Sequence, residues 1–125
     1  MIRITRLNHI SVLVSDTQRA LGFYHDLLGL DISNERPELG FPGAWLEIGD
    51  NRQIHLLELP AANTQGETAG QGGRDRHFAL DVADLDAVTT ALDKAGLDYT
   101  VSRSGRRALF CRDPDGNVIE LVENA

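Results

Sequence analysis

The chain has a single cysteine, no long apolar run and no excess of positive charge. Because Cys111 has no second cysteine to pair with, an intramolecular disulfide and a cysteine-rich zinc site are excluded. Its thiol is expected to be buried in the core. No apolar stretch approaches the roughly 20 residues that a membrane-spanning helix needs. The net charge of −7 disfavours nucleic acid and anionic membranes, so a small molecule is the expected partner.

The amino-terminal residues run directly into strand-like sequence, without the charged, apolar and small-residue order of a secretory signal. A cytoplasmic location is therefore expected. The apolar and charged fractions, 42% and 25%, are close to those of an average soluble domain. A chain of 125 residues suffices for one domain, and that domain can also consist of two half-sized modules.

Two stretches of the sequence resemble each other in spacing and chemistry. In each, an alternating strand leads to an Asp that can cap a helix, Asp16 or Asp84, and the helix ends at Gly29 or Gly96. Three shorter apolar runs follow each helix, so each half predicts a β-α-β-β-β module. These runs are residues 30–33, 44–48 and 53–59 in the first half, and 99–102, 108–111 and 118–122 in the second.

The repeat predicts an α+β fold in a single domain of residues 1–125. The first module spans 1–60, the second spans 74–125, and residues 61–73 form a linker or an active-site loop rich in Gly, Thr and Gln. Both helices are expected to pack one apolar face against a sheet. Those faces comprise Ala20, Phe23, Tyr24, Leu27 and Leu28 in the first helix, and Leu85, Val88, Ala91, Leu92 and Ala95 in the second.

Four polar side chains occupy matching positions on the first and last strands of the two halves. Residues alternate between faces along a strand, so His9 and His77 lie opposite the apolar side chains that pack against the helices. His55 and Glu120 are equivalent in the last strands and lie on that same polar face. If the halves are related by approximate two-fold symmetry, these four side chains can converge on one point.

Three imidazoles and one carboxylate suit divalent Fe, Co, Ni, Mn or Zn, and they leave coordination positions open to water or substrate. A single histidine in a strand is more often structural, so the metal-site hypothesis depends on the four matched positions. His25 has no counterpart in the second helix and is expected to lie on the surface.

Two further groups of residues have alternative interpretations. The basic residues near the second hairpin would meet an anionic substrate or would simply be solvated. The aromatic and proline residues near the start of the third strand would border the pocket mouth, although core packing explains the tryptophan equally well. The first group is Arg103, Arg106 and Arg107, and the second is Phe41, Pro42 and Trp45.

Four motifs together resemble one protein family over essentially the whole chain. They are Leu7-Asn8-His9-Ile10, Phe23-Tyr24 with Leu28-Gly29-Leu30, Gly73-Arg74-Asp75-Arg76-His77, and Asp113-Pro114-Asp115-Gly116-Asn117 leading to Ile119-Glu120-Leu121. The chain resembles glyoxalase-type proteins of the vicinal oxygen chelate superfamily, which includes bleomycin-binding proteins and extradiol dioxygenases. The resemblance implies a U-shaped cradle of two βαβββ modules around one divalent metal ion, held by His9, His55, His77 and Glu120, and a homodimer.

The resemblance also implies a reaction class. Superfamily enzymes use the metal to bind adjacent oxygens of a small substrate and to stabilise an enediolate, in lyase or isomerase chemistry. Glu120 matches the carboxylate base of glyoxalase I and is the candidate catalytic residue. His55 departs from the pattern, because glyoxalase I usually has a second Glu there. The alternatives are an Fe(II) dioxygenase, a thiol transferase of the fosfomycin-resistance type and a non-catalytic drug- or ligand-binding protein.

Overall fold

The computed structural model describes residues 1–60 and 75–124. The chain divides into two compact units, Met1–Thr64 and Gln65–Ala125. Each unit contains one four-stranded sheet and the helical segment that follows its first strand. The linker expected at residues 61–73 lies outside the described residues, so the module boundaries given above stay a prediction.

The first unit begins with β1, which is followed by a helix and three strands. The strand order in its sheet is β1-β4-β3-β2, with β1 and β4 parallel and the other neighbours antiparallel. Helix α1 continues without a break as one π-helical segment. The elements are β1 His9–Val14, α1 Thr17–Leu21, the π-helix Gly22–Leu27, β2 Asp31–Ile32, β3 Gly43–Glu47 and β4 Gln53–Glu58.

The second unit repeats this arrangement with a longer regular helix. Its strand order is β5-β8-β7-β6, with β5 and β8 parallel. The α+β class and the β-α-β-β-β order expected for each half are therefore confirmed. The elements are β5 His77–Val82, α2 Leu85–Ala95, β6 Tyr99–Val101, β7 Ala108–Arg112 and β8 Val118–Glu123.

The helix ends follow the local signals in the sequence. Asp16 and Asp84 each accept a hydrogen bond from a backbone N–H of the first helical turn, at 3.2 and 2.9 Å. Gly29 and Gly96 have φ angles of +79° and +72°, in the left-handed region that favours glycine. Both expected starts and both expected stops are confirmed.

A glutamate at the end of the last strand in each unit also caps the helix of that unit. Glu58 Oε1 accepts a hydrogen bond from the backbone N–H of Thr17 at 2.7 Å, and Glu123 Oε1 accepts one from Leu85 at 2.9 Å. The bond from Leu85 and then the Arg107 guanidinium lower the pKa of Glu123. These equivalent contacts tie each helix to the parallel strand pair beneath it.

Each helix buries part of the apolar face expected for it, and most of the other residues of these faces are partly exposed. Ala20, Phe23 and Tyr24 are buried against the first sheet, and Leu85 and Leu92 are buried in the second unit. The expectation for one residue is wrong, because Ala95, the last residue of α2, is exposed. A single methyl group has too little apolar area to require burial at a helix end.

Cys111 lies inside the second unit with only 3% of its surface exposed, as expected for a core thiol. Burial and the neighbouring Asp113 carboxylate raise the pKa of this thiol to about 12. The side chain is therefore protonated near neutral pH and behaves as a small apolar group. Within residues 1–60 and 75–124, no helix has the length and apolar character needed to cross a membrane.

Gly43 at the start of β3 has no room for a side chain, and this predicts an asymmetric effect of alanine substitution. A Cβ at Gly43 would overlap the carbonyl oxygen of Leu56 and lie 3.1 Å from Nη2 of Arg36, whereas one at Gly22 would meet open space. We expect Gly43→Ala to lower the free energy of unfolding by about 1–3 kcal/mol. Gly22→Ala should raise it by up to about 1 kcal/mol, because Ala favours helix. Urea unfolding followed by circular dichroism measures both, and equal effects would contradict the close approach at Gly43.

Candidate metal centre

Strand register puts the candidate ligands of the two units in the same relative positions. In the parallel pairs, Ser11 lies beside His55 and Ala79 lies beside Glu120. The candidate histidine of each first strand is two residues before that partner and thus on the same face of the sheet. The equivalence expected from the sequence repeat therefore agrees with the register.

In the second unit, His77 and Glu120 are in contact. Nε2 of His77 lies 3.4 Å from Oε1 of Glu120, and the glutamate is only 4% exposed. Nδ1 of His77 donates a hydrogen bond to the backbone carbonyl of Asp75 at 2.8 Å. A carbonyl can only accept, so in the neutral ring Nε2 carries the lone pair that faces Glu120.

The separation of these two donors is the one expected for neighbouring ligands of a single ion. Two atoms that are each about 2.1 Å from a metal lie about 3.0–3.4 Å apart at octahedral or tetrahedral angles. The 3.4 Å distance between His77 Nε2 and Glu120 Oε1 falls at the upper end of that range. The pair therefore fits a divalent metal in both chemistry and spacing.

Arg106 forms an ion pair with the other carboxylate oxygen of Glu120. Its Nη2 lies 3.3 Å from Oε2 of Glu120, whereas Arg107 lies 3.2 Å from Glu123 and 3.3 Å from Asp86 in exposed pairs. Arg106 and Arg107 therefore face different carboxylates. Only Arg106 among these two contacts a candidate ligand.

In the first unit, three rings form a continuous stack on the polar face of the sheet. The ring centroids of His9 and His55 are 4.0 Å apart with planes inclined by 17°, and those of His55 and Trp45 are 4.0 Å apart with planes inclined by 4°. Trp45 is partly exposed beside a candidate ligand rather than buried in the core. This position disfavours the core-packing interpretation of Trp45, and its place at a pocket mouth stays a prediction.

Phe110 is the equivalent aromatic residue in the second unit. It pairs with Glu120 across β7 and β8, as Trp45 pairs with His55 across β3 and β4. The Phe110 ring meets His77 edge-on with centroids 5.2 Å apart. Phe110 is not among the residues expected from the sequence, although its position in the repeat matches that of Trp45.

Hydrogen bonds also orient the histidines of the first unit. Nδ1 of His9 is 2.7 Å from Oδ1 of Asn8. Nε2 of His55 is 2.9 Å from Oε1 of Gln53, whose amide group donates to Glu47 at 2.9 Å. Because the amide oxygen of Gln53 must accept, His55 donates from Nε2 and keeps its lone pair on Nδ1. To bind a metal, His55 would use Nδ1 or exchange its bond to Gln53.

The pKa of His55 is lowered by three neighbouring effects. Partial burial is the largest, followed by the proximity of His9 and then of the Arg36 guanidinium. All three disfavour the imidazolium form. His55 is therefore predisposed to the neutral state that metal binding requires.

The predicted ligands come together as one pair in each unit, His9 with His55 and His77 with Glu120. Among residues 1–60 and 75–124, no group of three or more His, Cys, Asp or Glu side chains is close enough to hold one ion. The complete set of four ligands stays a prediction. His25 is exposed, as expected, and its Nδ1 bonds to the carbonyl of Leu30 at 2.7 Å.

Comparison with known proteins identifies the family. Residues 6–121 match the family model of the Glyoxalase/Bleomycin resistance protein/Dioxygenase superfamily. The chain belongs to this superfamily. It is 35% identical over 126 residues to Glyoxylase I 4 of Arabidopsis thaliana, covering 96% of this chain and 71% of that protein. It is 30% identical over 125 residues to lactoylglutathione lyase of Salmonella typhimurium, covering 94% and 92% of the two chains.

Solved structures share the fold of this chain. A member from Sphaerobacter thermophilus has a TM-score of 0.71 and 26% identity, with 97% of this chain and 98% of that chain covered. The antibiotic-binding protein TnmS3 from Streptomyces has a TM-score of 0.74 and 23% identity, with both chains covered completely. Similarity of fold therefore does not by itself decide between catalysis and binding.

The environment of His55 predicts an unusual titration. Since its pKa is lowered, we expect the midpoint of the His55 titration to lie below pH 6.5 in the metal-free protein. The contribution of neutral His55 to the free energy of unfolding should be lost as the pH falls through that lowered pKa. Arg36→Gln should move the midpoint upward, because it removes one of the three causes. Nuclear magnetic resonance of the histidine ring protons, assigned with His55→Gln, measures this midpoint. A value at or above 6.5 in the unsubstituted protein would contradict the described environment.

Proposed function

We propose that this chain is a divalent-metal-dependent lyase or isomerase that acts on a small oxygenated substrate. The contact between His77 and the buried Glu120, at 3.4 Å, is the observation that carries the proposal. A buried carboxylate beside an imidazole with a free lone pair is the arrangement that both metal binding and proton transfer need. The relatives named lactoylglutathione lyase support the same reaction class.

In this proposal, His9, His55, His77 and Glu120 hold one ion of Ni, Co, Fe, Mn or Zn. Three imidazoles and one carboxylate suit any of these metals. When bound, the metal would supply a Lewis acid that stabilises negative charge on two adjacent substrate oxygens. The backbone of Asp75 and the side chain of Asn8 would keep His77 and His9 in orientation through their Nδ1 atoms.

Glu120 is the residue that we propose to move the proton. A substrate with a C–H bond next to a carbonyl group would lose the proton of that bond to the Glu120 carboxylate. Glu120 would then return the proton to the adjacent carbon, the former carbonyl carbon, so the reaction is an isomerisation. Arg106 lies on Oε2, which leaves Oε1 as the oxygen on the His77 side. Phe110 pairs with Glu120 across the sheet, and both residues are buried.

His55 makes proton transfer one-sided in this proposal. In the first unit the position equivalent to Glu120 is an imidazole, and its lowered pKa keeps it neutral. His55 can therefore serve as a metal ligand, while the Glu120 carboxylate accepts and returns the proton. This assignment distinguishes the chain from a site with two carboxylates.

The ligand assignment predicts which substitutions remove the metal. His77→Ala and Glu120→Ala should each reduce the metal content from near one ion per chain to less than about a tenth, because even the loss of a residue that only orients a ligand typically costs 10–100-fold in metal affinity. His25→Ala is the matched control, since His25 is exposed and its ring bonds to the backbone carbonyl of Leu30 rather than to a candidate ligand. Elemental analysis of protein purified without oxygen or chelators measures the metal.

Full metal content in both ligand variants would contradict the assignment. The identity of the metal in the unsubstituted protein separates the alternatives. Ni, Co, Mn or Zn is expected for lyase or isomerase chemistry, whereas Fe would favour the dioxygenase. A protein that takes up none of these ions after reconstitution would instead be a binding protein.

The identity of residue 55 predicts a gain of activity. His55→Glu introduces the carboxylate pair of glyoxalase I. We expect this variant to convert the methylglyoxal–glutathione hemithioacetal about 10-fold faster or more, because a correctly positioned carboxylate base strongly accelerates proton transfer. His55→Gln is the control of similar size without the charge. The rate is measured as formation of the thioester product in metal-loaded protein. Equal rates for both variants would mean that the pocket, rather than the missing carboxylate, excludes this substrate.

The homodimer and the cytoplasmic location stay predictions from the resemblance and from the sequence. Light scattering coupled to size-exclusion chromatography distinguishes a dimer from a chain of 13.7 kDa. Fractionation of cells that produce the unmodified chain tests the location.

A further inference from the structure

An open groove in the first unit lies outside the ligand set. It has a volume of about 520 Å³ and is lined by residues that include Thr17, Arg36, Phe41 and Gly43. The groove is large enough for a small polar ligand. Among the described residues, Arg36 is the one cation that lines the groove, and the lining carboxylate Glu38 is already bonded to the backbone N–H of Gly40 at 2.9 Å.

The structure holds the Arg36 guanidinium in one orientation. Its Nη2 donates to the carbonyl of Phe41 at 2.7 Å, and its central carbon lies 5.4 Å from the centroid of the Phe41 ring. A side chain at Gly43 would come within 3.1 Å of Nη2, so the absence of one gives the guanidinium its space. An arginine fixed in this way loses little further entropy when it binds a ligand.

Two buried polar atoms of this groove lack hydrogen-bond partners within the described part of the chain. They are Nε of Arg36 and Oγ1 of Thr17, and Thr17 is only 7% exposed. Buried polar groups are usually paired, because an unpaired group costs about 1–3 kcal/mol. The ion pairs among residues 1–60 and 75–124 involve Arg52, Arg106, Arg107 and Arg112, but not Arg36.

The groove adjoins the polar face that carries His55. Gly43 is two residues before Trp45 on β3, and Trp45 pairs with and stacks on His55. A single small molecule could therefore reach both Arg36 and the candidate metal ligand.

We propose that Arg36 and Thr17 form a carboxylate-binding subsite that orients the substrate. The planar guanidinium offers donors that match the two oxygens of a carboxylate, and the Thr17 hydroxyl adds a third donor. This inference rests on the proposed function only where it treats the bound molecule as the substrate, because the subsite itself needs no metal. Arg36 and Thr17 are thus specificity residues, distinct from the ligands that hold the metal.

Calorimetric binding of S-methylglutathione, which carries two carboxylates, tests the subsite. We expect the full-length protein to bind it, and to bind its dimethyl ester at least about 10-fold more weakly. Arg36→Gln should weaken binding of the acid by about 10- to 100-fold and leave binding of the ester unchanged. Arg36→Lys should retain part of the affinity, since it keeps the charge but not the planar pair of donors. Thr17→Val should weaken binding of the acid, and Thr17→Ser should restore it.

Arg52→Gln is the matched control. Arg52 also has a buried Nε without a partner among the described residues, but its guanidinium lies 3.7 Å from Asp50, away from the groove. Its loss should leave binding of the acid unchanged. Equal losses in the Arg36 and Arg52 variants, or no binding by the unsubstituted protein, would overturn the subsite. Displacement of S-methylglutathione by lower concentrations of inorganic phosphate would overturn the choice of a carboxylate.

Repeating the titration with metal-loaded and chelator-treated protein separates this inference from the proposed function. The Arg36-dependent difference between acid and ester should persist in both preparations. If it persists while His77→Ala retains full metal content, the metal assignment fails and the subsite stands. If it is absent while the metal depends on His77, the subsite fails and the metal assignment stands.

Discussion

The parallel pairing of the first and last strands determines where the candidate side chains of each unit lie. Side-by-side residues of a parallel pair share a face, so the pairing of Ser11 with His55 and of Ala79 with Glu120 fixes the polar face in both units. A slip by one residue would turn these side chains toward the helices. The fully buried Ile54 and Ile119 on the opposite face oppose that slip, since burial of each contributes about 1.5–3 kcal/mol.

The same strand pairs also hold the helices. Glu58 and Glu123, at the ends of β4 and β8, accept hydrogen bonds from the first residues of the two helices. Each last strand therefore carries a site residue in its middle and a helix cap at its end. A change that disturbs its register would affect helix docking and the candidate ligand together, which links the stability of each unit to the geometry of its site.

The sequence predicts the order of elements and the helix ends well, because alternation, capping and glycine signals are local. It also predicts the four candidate ligands, because the repeat allowed positions to be compared between halves. The π-helical continuation of α1, with the N–H of Leu28 bonded to the carbonyl of Phe23 at 2.9 Å, has no comparable signal. The bonds from Gln53 to His55 and from Arg36 to Phe41 depend on side-chain conformations and on the path of a loop, which periodicity does not encode.

Although the two units share one topology, their polar faces differ in charge. The first combines two imidazoles and Trp45 with the nearby Arg36 guanidinium, and all the influences on His55 favour its neutral form. The second contains the buried Glu120 carboxylate, with Arg106 on one oxygen and His77 on the other. The second face therefore offers a buried carboxylate that is suited to accept a proton, whereas the first offers a guanidinium that is suited to bind an anion. Duplication of one module thus gives two polar faces with the same topology but different chemistry.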